Sequence, residues 1–103
     1  MTGVEIPRKS IAEFCRRHHI GRLDLFGSVL REDFRPDSDI DVLVEFEAGH
    51  EPGLLKFSVM EQELEAILGR KVDLVEREAV EQSENYIRRR HILRSLKPVY
   101  VER

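Results

Sequence analysis

The chain is organised around Phe26-Gly27-Ser28 and Asp39-Ile40-Asp41-Val42-Leu43-Val44, two stretches separated by residues 29–38. A Gly-Ser pair ends the first apolar run, and two carboxylates open the second. Residues i and i+2 of a strand point to the same face, so Asp39 and Asp41 are expected to project side by side. Like charges held together are costly unless a cation joins them. The pattern therefore predicts a divalent-metal site that faces a phosphate-binding turn.

Size and composition predict one small domain. The chain has 103 residues, which fits a single domain over residues 1–103. Its 17 Lys and Arg against 20 Asp and Glu give a net charge of −3. Proteins that coat nucleic acids carry a basic excess instead. Direct nucleic-acid binding is therefore disfavoured, although this balance leaves room for a small basic patch.

Cysteine usage and hydropathy predict a cytoplasmic protein. Cys15 is the single cysteine, which leaves no partner for an internal disulfide and is typical of a reducing compartment. We expect it in the core, since free cysteine behaves as a small apolar residue. No apolar run reaches the length of a membrane span, and the N-terminus lacks the pattern of a signal peptide. We expect no membrane partner.

Hydrophobic periodicity predicts a small α/β (α+β) fold. Apolar and alternating runs predict strands at residues 22–26, 39–46, 71–75 and 98–101. Helical spacing predicts a helix that starts at Pro7 or Ser10 and stops before Gly21, a long helix over residues 54–68 and a last one over residues 86–96. We expect a mixed sheet of three or four strands, with helices packed on one face and the acid-bearing face open as a cleft.

The polar residues of the first two helices are expected to be ordinary surface groups. Glu61, Glu63 and Glu65 fall largely off the apolar stripe of the long helix, which indicates solvated side chains. His18 and His19 are interpreted as helix-end residues rather than metal ligands.

The C-terminal part is less informative. Residues 79–85 are polar and predict a loop or weak turn, from which Asn85 or Ser83 would cap the last helix. The Arg-Arg-Arg-His run at residues 88–91 places four potential cations in one helical turn. Such a run is either a solvated face or a patch for phosphate, RNA or an acidic partner.

The residue pattern alone leaves two interpretations open for Gly27-Ser28 and two for Asp73. Gly27-Ser28 is either an ordinary serine-capped turn or a turn whose free backbone N–H groups attract phosphate. Asp73 interrupts an apolar strand, where aspartate is unfavourable by propensity. It either faces solvent on an edge strand or is the third member of the acidic cluster.

The combined pattern resembles the signature of the polymerase-β-type nucleotidyltransferases. That signature is an apolar residue, Gly, Gly or Ser, a spacer loop and then Asp-apolar-Asp, as in Phe26-Gly27-Ser28 and Asp39-Ile40-Asp41 here. Residues 27–31 and 35–46 are similar to the minimal nucleotidyltransferases, many of which are antitoxins encoded beside HEPN-domain ribonuclease toxins. The resemblance extends from the first helix to Val75 and is much less diagnostic after Glu76.

The resemblance implies a catalytic site of three carboxylates. Asp39, Asp41 and, from a later strand, Asp73 would be both the metal ligands and the catalytic residues. Mg²⁺ is the hard cation that carboxylate oxygens suit. Two ions are expected, with Asp39 and Asp41 sharing one and Asp73 needed for the second.

The same resemblance implies a nucleotide-binding turn. Gly27 and Ser28 would cradle the β- and γ-phosphates, and Arg31 and Ser38 would add phosphate contacts. Glu32 departs from the pattern, because the minimal family usually has Gly there. Its charge lies near the expected triphosphate turn, where it either weakens nucleotide binding or points away without effect.

The implied function is Mg²⁺-dependent transfer of AMP from ATP to a tyrosine of a cognate HEPN toxin. The chain would then be the antitoxin of a type VII-like toxin–antitoxin system. Two alternatives remain from the residues. One is a catalytically idle antitoxin that neutralises its toxin by binding alone, which Glu32 favours. The other is nucleotidyl transfer to RNA, whose local support is the arginine run at residues 88–90.

Overall fold

The computed structural model describes residues 6–27 and 39–102, which form one mixed four-stranded sheet with helices. The strands lie in the order β3-β2-β1-β4. Strand β1 is antiparallel to both β2 and β4, whereas β2 and β3 are parallel. The elements follow the chain as α1 (Arg8–Arg17), β1 (Ile20–Phe26), β2 (Ile40–Phe46), α2 (Leu54–Leu68), β3 (Val72–Glu76), α3 (Arg77–Glu81), α4 (Tyr86–Arg94) and β4 (Lys97–Val101).

The main core lies between one face of the sheet and the two longer helices. Phe14 of α1 and Leu64 of α2 are fully buried against Leu23, Val42 and Val44 of the central strands. These strand residues alternate with polar ones or with residues of the other face, as the period of a strand requires. Cys15 lies in this core, where burial raises the pKa of its thiol to about 12 despite neighbouring Arg16. The expected core role of Cys15 is confirmed.

A second, smaller apolar cluster covers part of the opposite face. Val80 of α3 and Ile92 of α4 pack there against Phe26 and Leu43. The expectation that helices pack on one face only is therefore wrong for these two short helices. Leu43 faces away from the main core and needs a cover of its own, which α3 and α4 supply.

The helix ends follow local chemistry in most places. Gly69, at φ +71°, ends α2 as predicted, and the Asn85 side chain accepts a hydrogen bond from the Arg88 N–H at 3.1 Å as the predicted cap of α4. Gly21 does not stop α1; the helix ends at Arg17 and Gly21 lies in β1. Helix α3 lies partly in the segment expected to be a loop.

Polar contacts also pack α1 on α2. Glu63 pairs with Arg17 and accepts a hydrogen bond from His18 Nε2 at 3.0 Å, so the expectation of a solvated Glu63 is wrong. Burial raises the pKa of Glu63, but the hydrogen bonds from Arg17 and His18 outweigh burial and hold the pKa below its ordinary value.

In the part of the chain that the structure describes, no helix combines the length and the apolar character needed to cross a membrane.

Helix α2 offers a matched test of the main core. Leu64 is fully buried, whereas Leu55 in the same helix is 86% exposed. We expect Leu64→Ala to lower the free energy of unfolding by about 2–5 kcal/mol, because it removes buried methyl groups and leaves a cavity. Leu55→Ala is expected to change it by less than about 0.5 kcal/mol. Urea denaturation of both variants measures the difference, and equal losses would contradict this packing.

Candidate functional site

The parallel pairing of β2 with β3 brings two of the sequence-predicted carboxylates together. In this register Asp41 lies opposite Asp73, and Leu43 lies opposite Val75. Neighbouring strands run about 4.8 Å apart, so paired residues share one face at close range. Asp41 is half-buried and Asp73 is exposed. Asp39 lies just before β2 and is exposed as well. Three carboxylates thus lie at one end of the β2–β3 pair.

Two glutamates of α2 hold the outer edge of β3. The backbone N–H of Val72 donates to Glu65 Oε2 at 3.0 Å, and that of Leu74 donates to Glu61 Oε2 at 2.9 Å. These N–H groups belong to an edge strand, whose unpaired groups otherwise attract other chains. The expectation that Glu61 and Glu65 are solvated is therefore wrong. The two donors, Val72 and Leu74, flank Asp73 in the strand, so the glutamates fix the strand segment that carries Asp73.

Gly27 lies directly against Asp41. Phe26 pairs with Asp41 across β1 and β2, and Gly27 follows with φ +75°. A Cβ atom at Gly27 would lie 3.2 Å from Asp41 Cγ and still closer to Oδ2. Glycine is favoured here, because any other residue would combine a strained left-handed backbone with displacement of the Asp41 carboxylate. The predicted phosphate turn and the acidic cluster therefore begin next to each other.

The other predicted nucleotide contacts are Ser28, Arg31 and Ser38. They lie outside the described residues, as does Glu32. The structure thus brings together Gly27, Asp39, Asp41 and Asp73 from the predicted set.

A cavity of about 510 Å³ lies at the other end of β2 and β3. Five glutamates line it, together with Arg77: Glu45, Glu51, Glu76, Glu78 and Glu81. Burial raises the pKa of Glu76, and Glu78 and Glu51 add to this effect. Such an acidic cavity repels phosphate groups, so its size does not make it the nucleotide site.

The arginine run lies on α4, on the same face of the sheet as the carboxylates, because Ile92 of this helix packs with Leu43. Arg89 donates from Nη1 to the Ser83 carbonyl at 2.6 Å, and its guanidinium lies 5.6 Å from the centre of the Tyr86 ring. Arg90 donates to the Tyr86 hydroxyl at 3.3 Å. Part of this run therefore stabilises α4 itself.

The family model for a nucleotidyltransferase domain matches residues 8–96. The chain belongs to this family. The match covers all the described elements from α1 to α4 and includes each sequence-predicted site residue. Family membership confirms the predicted nucleotidyltransferase.

Named relatives refine this family assignment. The chain is 46% identical over 63 residues to the protein adenylyltransferase MntA of Thermococcus cleftensis, a match that covers 61% of this chain and 62% of that relative. It is 41% identical over 71 residues to a Methanocaldococcus jannaschii protein with a provisional protein adenylyltransferase name, covering 69% and 73% of the two chains. The match thus spans less than two thirds of the Thermococcus relative.

Solved structures support the same fold. A structure described provisionally as a minimal nucleotidyltransferase is 36% identical, with a TM-score of 0.67 over 88% of this chain and 87% of that one. A toxin–antitoxin complex with AMP-PNP gives a TM-score of 0.71 at 20% identity, over 95% and 76% of the two chains. At that identity the second likeness concerns the fold alone. The resemblance to minimal nucleotidyltransferases and the small nucleotidyltransferase fold are confirmed.

A glycine comparison tests the approach of Gly27 to Asp41. Gly49 has a similar backbone, with φ +82°, but a Cβ there would meet nothing within 4 Å. We expect Gly49→Ala to cost about 1–2 kcal/mol, which is the price of a left-handed alanine. Gly27→Ala is expected to cost about 0.5–1.5 kcal/mol more, because its Cβ must push the Asp41 carboxylate out of its present rotamer. Urea denaturation measures both losses, and equal values would contradict the close approach.

Proposed function

We propose that this nucleotidyltransferase transfers AMP from ATP to a hydroxyl group of a partner protein. The observation that carries the proposal is the register of Asp41 with Asp73, beside a glycine turn that touches Asp41. Carboxylates of neighbouring strands can hold the metal ion of a metal–triphosphate complex, and a turn without a side chain lets the backbone approach its phosphates. The relatives' protein adenylyltransferase names support AMP as the transferred group.

The donor set fits Mg²⁺. Asp39, Asp41 and Asp73 offer only carboxylate oxygens, which are the ligands that this hard cation takes. Asp39 and Asp41 would hold one ion, and Asp73 would complete the site for a second. When bound, the ions neutralise charge on the triphosphate and on the attacking and leaving oxygens of an in-line displacement.

The chain's own residues would then position the reactants. Backbone N–H groups after Gly27, with the Ser28 hydroxyl, would bind the β- and γ-phosphates, and Arg31 and Ser38 would add further contacts. The acceptor oxygen attacks the α-phosphorus, the bond from that phosphorus to the bridging oxygen of the β-phosphate breaks, and pyrophosphate leaves. The Asp73 carboxylate would take up the proton that the hydroxyl loses.

The acceptor that we propose is a tyrosine of a cognate HEPN toxin in the cytoplasm. One structural neighbour is described as a tri-AMPylated HEPN toxin of Shewanella oneidensis in complex with its MNT antitoxin; it gives a TM-score of 0.61 at 20% identity, over 91% and 69% of the two chains. AMP on a tyrosine adds bulk and negative charge, which would oppose binding of an RNA backbone. This chain would be the antitoxin of such a pair.

Exposed apolar side chains support a protein partner. Leu54 is 89% exposed and Leu55 is 86% exposed at the start of α2, and Ile87 is 79% exposed on α4. Leu54 and Leu55 are adjacent in α2, and neighbouring exposed apolar groups are typical of surfaces that another protein covers. Ile87 lies on the other face of the sheet, because α4 packs in the second apolar cluster.

Carboxylate substitutions test the reaction. We expect Asp39→Asn, Asp41→Asn and Asp73→Asn each to lower AMP transfer by orders of magnitude, because loss of a ligand removes several kcal/mol of transition-state stabilisation. Purified chain, α-labelled ATP, Mg²⁺ and the toxin encoded by the neighbouring gene are incubated, and labelled toxin is counted and mapped by mass spectrometry. Glu13→Gln is the control, since Glu13 is an exposed carboxylate on α1.

The same variants separate the alternatives. A folded Asp39→Asn, Asp41→Asn double variant should lose protection of cells from the toxin. Full protection by this variant would favour an antitoxin that acts by binding alone. Labelled RNA in place of labelled toxin would favour nucleotidyl transfer to RNA. Wild-type chain that labels neither acceptor would overturn the proposal.

A further inference from the structure

A second group of metal-ligating side chains lies at the opposite end of the sheet from the aspartates. His19, Glu47 and His50 each offer one ligand atom, and these atoms lie within 4.8 Å of one another. His19 immediately precedes β1, and Glu47 immediately follows β2. Glu47 lies six positions after Asp41, which corresponds to about 20 Å along a strand. The group is therefore distinct from the nucleotide site.

The fold builds this group through the backbone. The Glu47 N–H donates to the His19 carbonyl at 2.8 Å, and the His50 N–H donates to the Glu47 carbonyl at 3.0 Å. His19 has φ +57°, and among residues 6–27 and 39–102 it is the sole non-glycine residue with a positive φ. A left-handed backbone is uncommon for residues other than glycine, although histidine is among those that adopt it more often, and the hydrogen bond from the Glu47 N–H to the His19 carbonyl helps to hold it here. All three residues are thus tied to each other before any ligand arrives.

The side chains of the three residues lie close together, within the reach of a shared cation after rotation. The imidazoles of His19 and His50 are stacked, with ring centres 3.9 Å apart and an interplanar angle of 15°. His19 Nδ1 lies 3.5 Å from Glu47 Oε1. The side chain of Glu102 lies beside this group, because Glu47 and Glu102 line the same surface cavity.

We propose that His19, Glu47 and His50 form a binding site for a divalent transition metal of the zinc type. Two imidazole nitrogens and one carboxylate are ligands that Zn²⁺ takes, whereas Mg²⁺ prefers oxygen alone. Glu102 is positioned as the outer partner that orients the Glu47 ligand. The metal would join the turn between α1 and β1 to the turn between β2 and α2.

The side chains have room to close on an ion. The side chain of His19 is 48% exposed and that of Glu47 is 34% exposed, so both can rotate toward a common centre and an ion can enter from solvent. Three protein ligands leave one position of a tetrahedral Zn²⁺ for water. In the alternative interpretation, the two stacked histidines and Glu47 contact each other but bind no metal.

Zinc titration of the full chain tests the site. Isothermal titration with ZnCl₂, in a non-coordinating buffer with excess MgCl₂, is expected to show one equivalent bound. Loss of an outer partner alone weakens metal sites by about 10–100-fold, so His50→Gln is expected to weaken Zn²⁺ binding at least tenfold. His19→Asn should do the same, since asparagine tolerates the left-handed backbone. Zn²⁺ should also raise the melting temperature of the wild-type chain by mass action.

Two controls separate this site from other sources of binding. His91→Gln removes an exposed histidine of α4 and should leave the Zn²⁺ affinity unchanged. Asp39→Asn with Asp41→Asn should also leave it unchanged, because these carboxylates lie at the other end of β2. Long-range ¹H–¹⁵N spectra should show shifts of the His19 and His50 imidazoles on addition of Zn²⁺. No saturable binding, equal affinity in His50→Gln, or loss of binding in the aspartate variant would overturn the proposal.

Discussion

The arrangement of the candidate active site depends on how β3 is held at both of its edges. On one edge β3 pairs in parallel with β2, and on the other Glu61 and Glu65 accept the N–H groups of Leu74 and Val72. A one-residue slip of β3 would move Asp73 to the opposite face of the sheet. The same slip would break both glutamate contacts and bury a carboxylate in the main core. The packing of α2 against β3 therefore helps to fix the position of Asp73, although α2 carries none of the predicted site residues.

Gly27 connects the predicted nucleotide-binding turn to the same part of the sheet. Strand β1 ends opposite Asp41, and the chain must leave the sheet there without a side chain because the Asp41 carboxylate occupies the space. The positive φ of Gly27 is a backbone conformation that glycine adopts without steric cost. The predicted metal ligands and the start of the predicted phosphate-binding turn therefore meet at the Asp41 side chain.

Local patterns were sufficient for the parts of the fold in which each residue's role depends on near neighbours. Alternation located β1, β2 and β3 within two residues, and Gly69 and Asn85 marked helix ends through their own backbone or side chain. The cover of the second face was missed because the five-residue helix α3 is too short for periodicity to reveal, and because the pattern of α4 does not show which face of the sheet this helix packs on. The contacts of Glu61 and Glu65 were missed for another reason: position on a helix predicts exposure, but not which strand edge lies beside that helix. Asp73 stayed ambiguous on pattern alone because its role depends on the parallel register.

The surroundings of His19 also depend on strand pairing, so in the sequence it looks like a helix-end residue only. Antiparallel pairing of β1 and β2 brings it to Glu47, and the turn after β2 returns His50 to both. The two ends of β2 consequently carry different ligand chemistry: carboxylate oxygen alone at the Asp41 end, and two imidazoles with one carboxylate at the Glu47 end. Ligand type, rather than affinity alone, distributes metal ions among protein sites. The two sites that we propose therefore favour different cations, because an all-carboxylate set suits Mg²⁺ whereas imidazole nitrogen suits an ion of the zinc type.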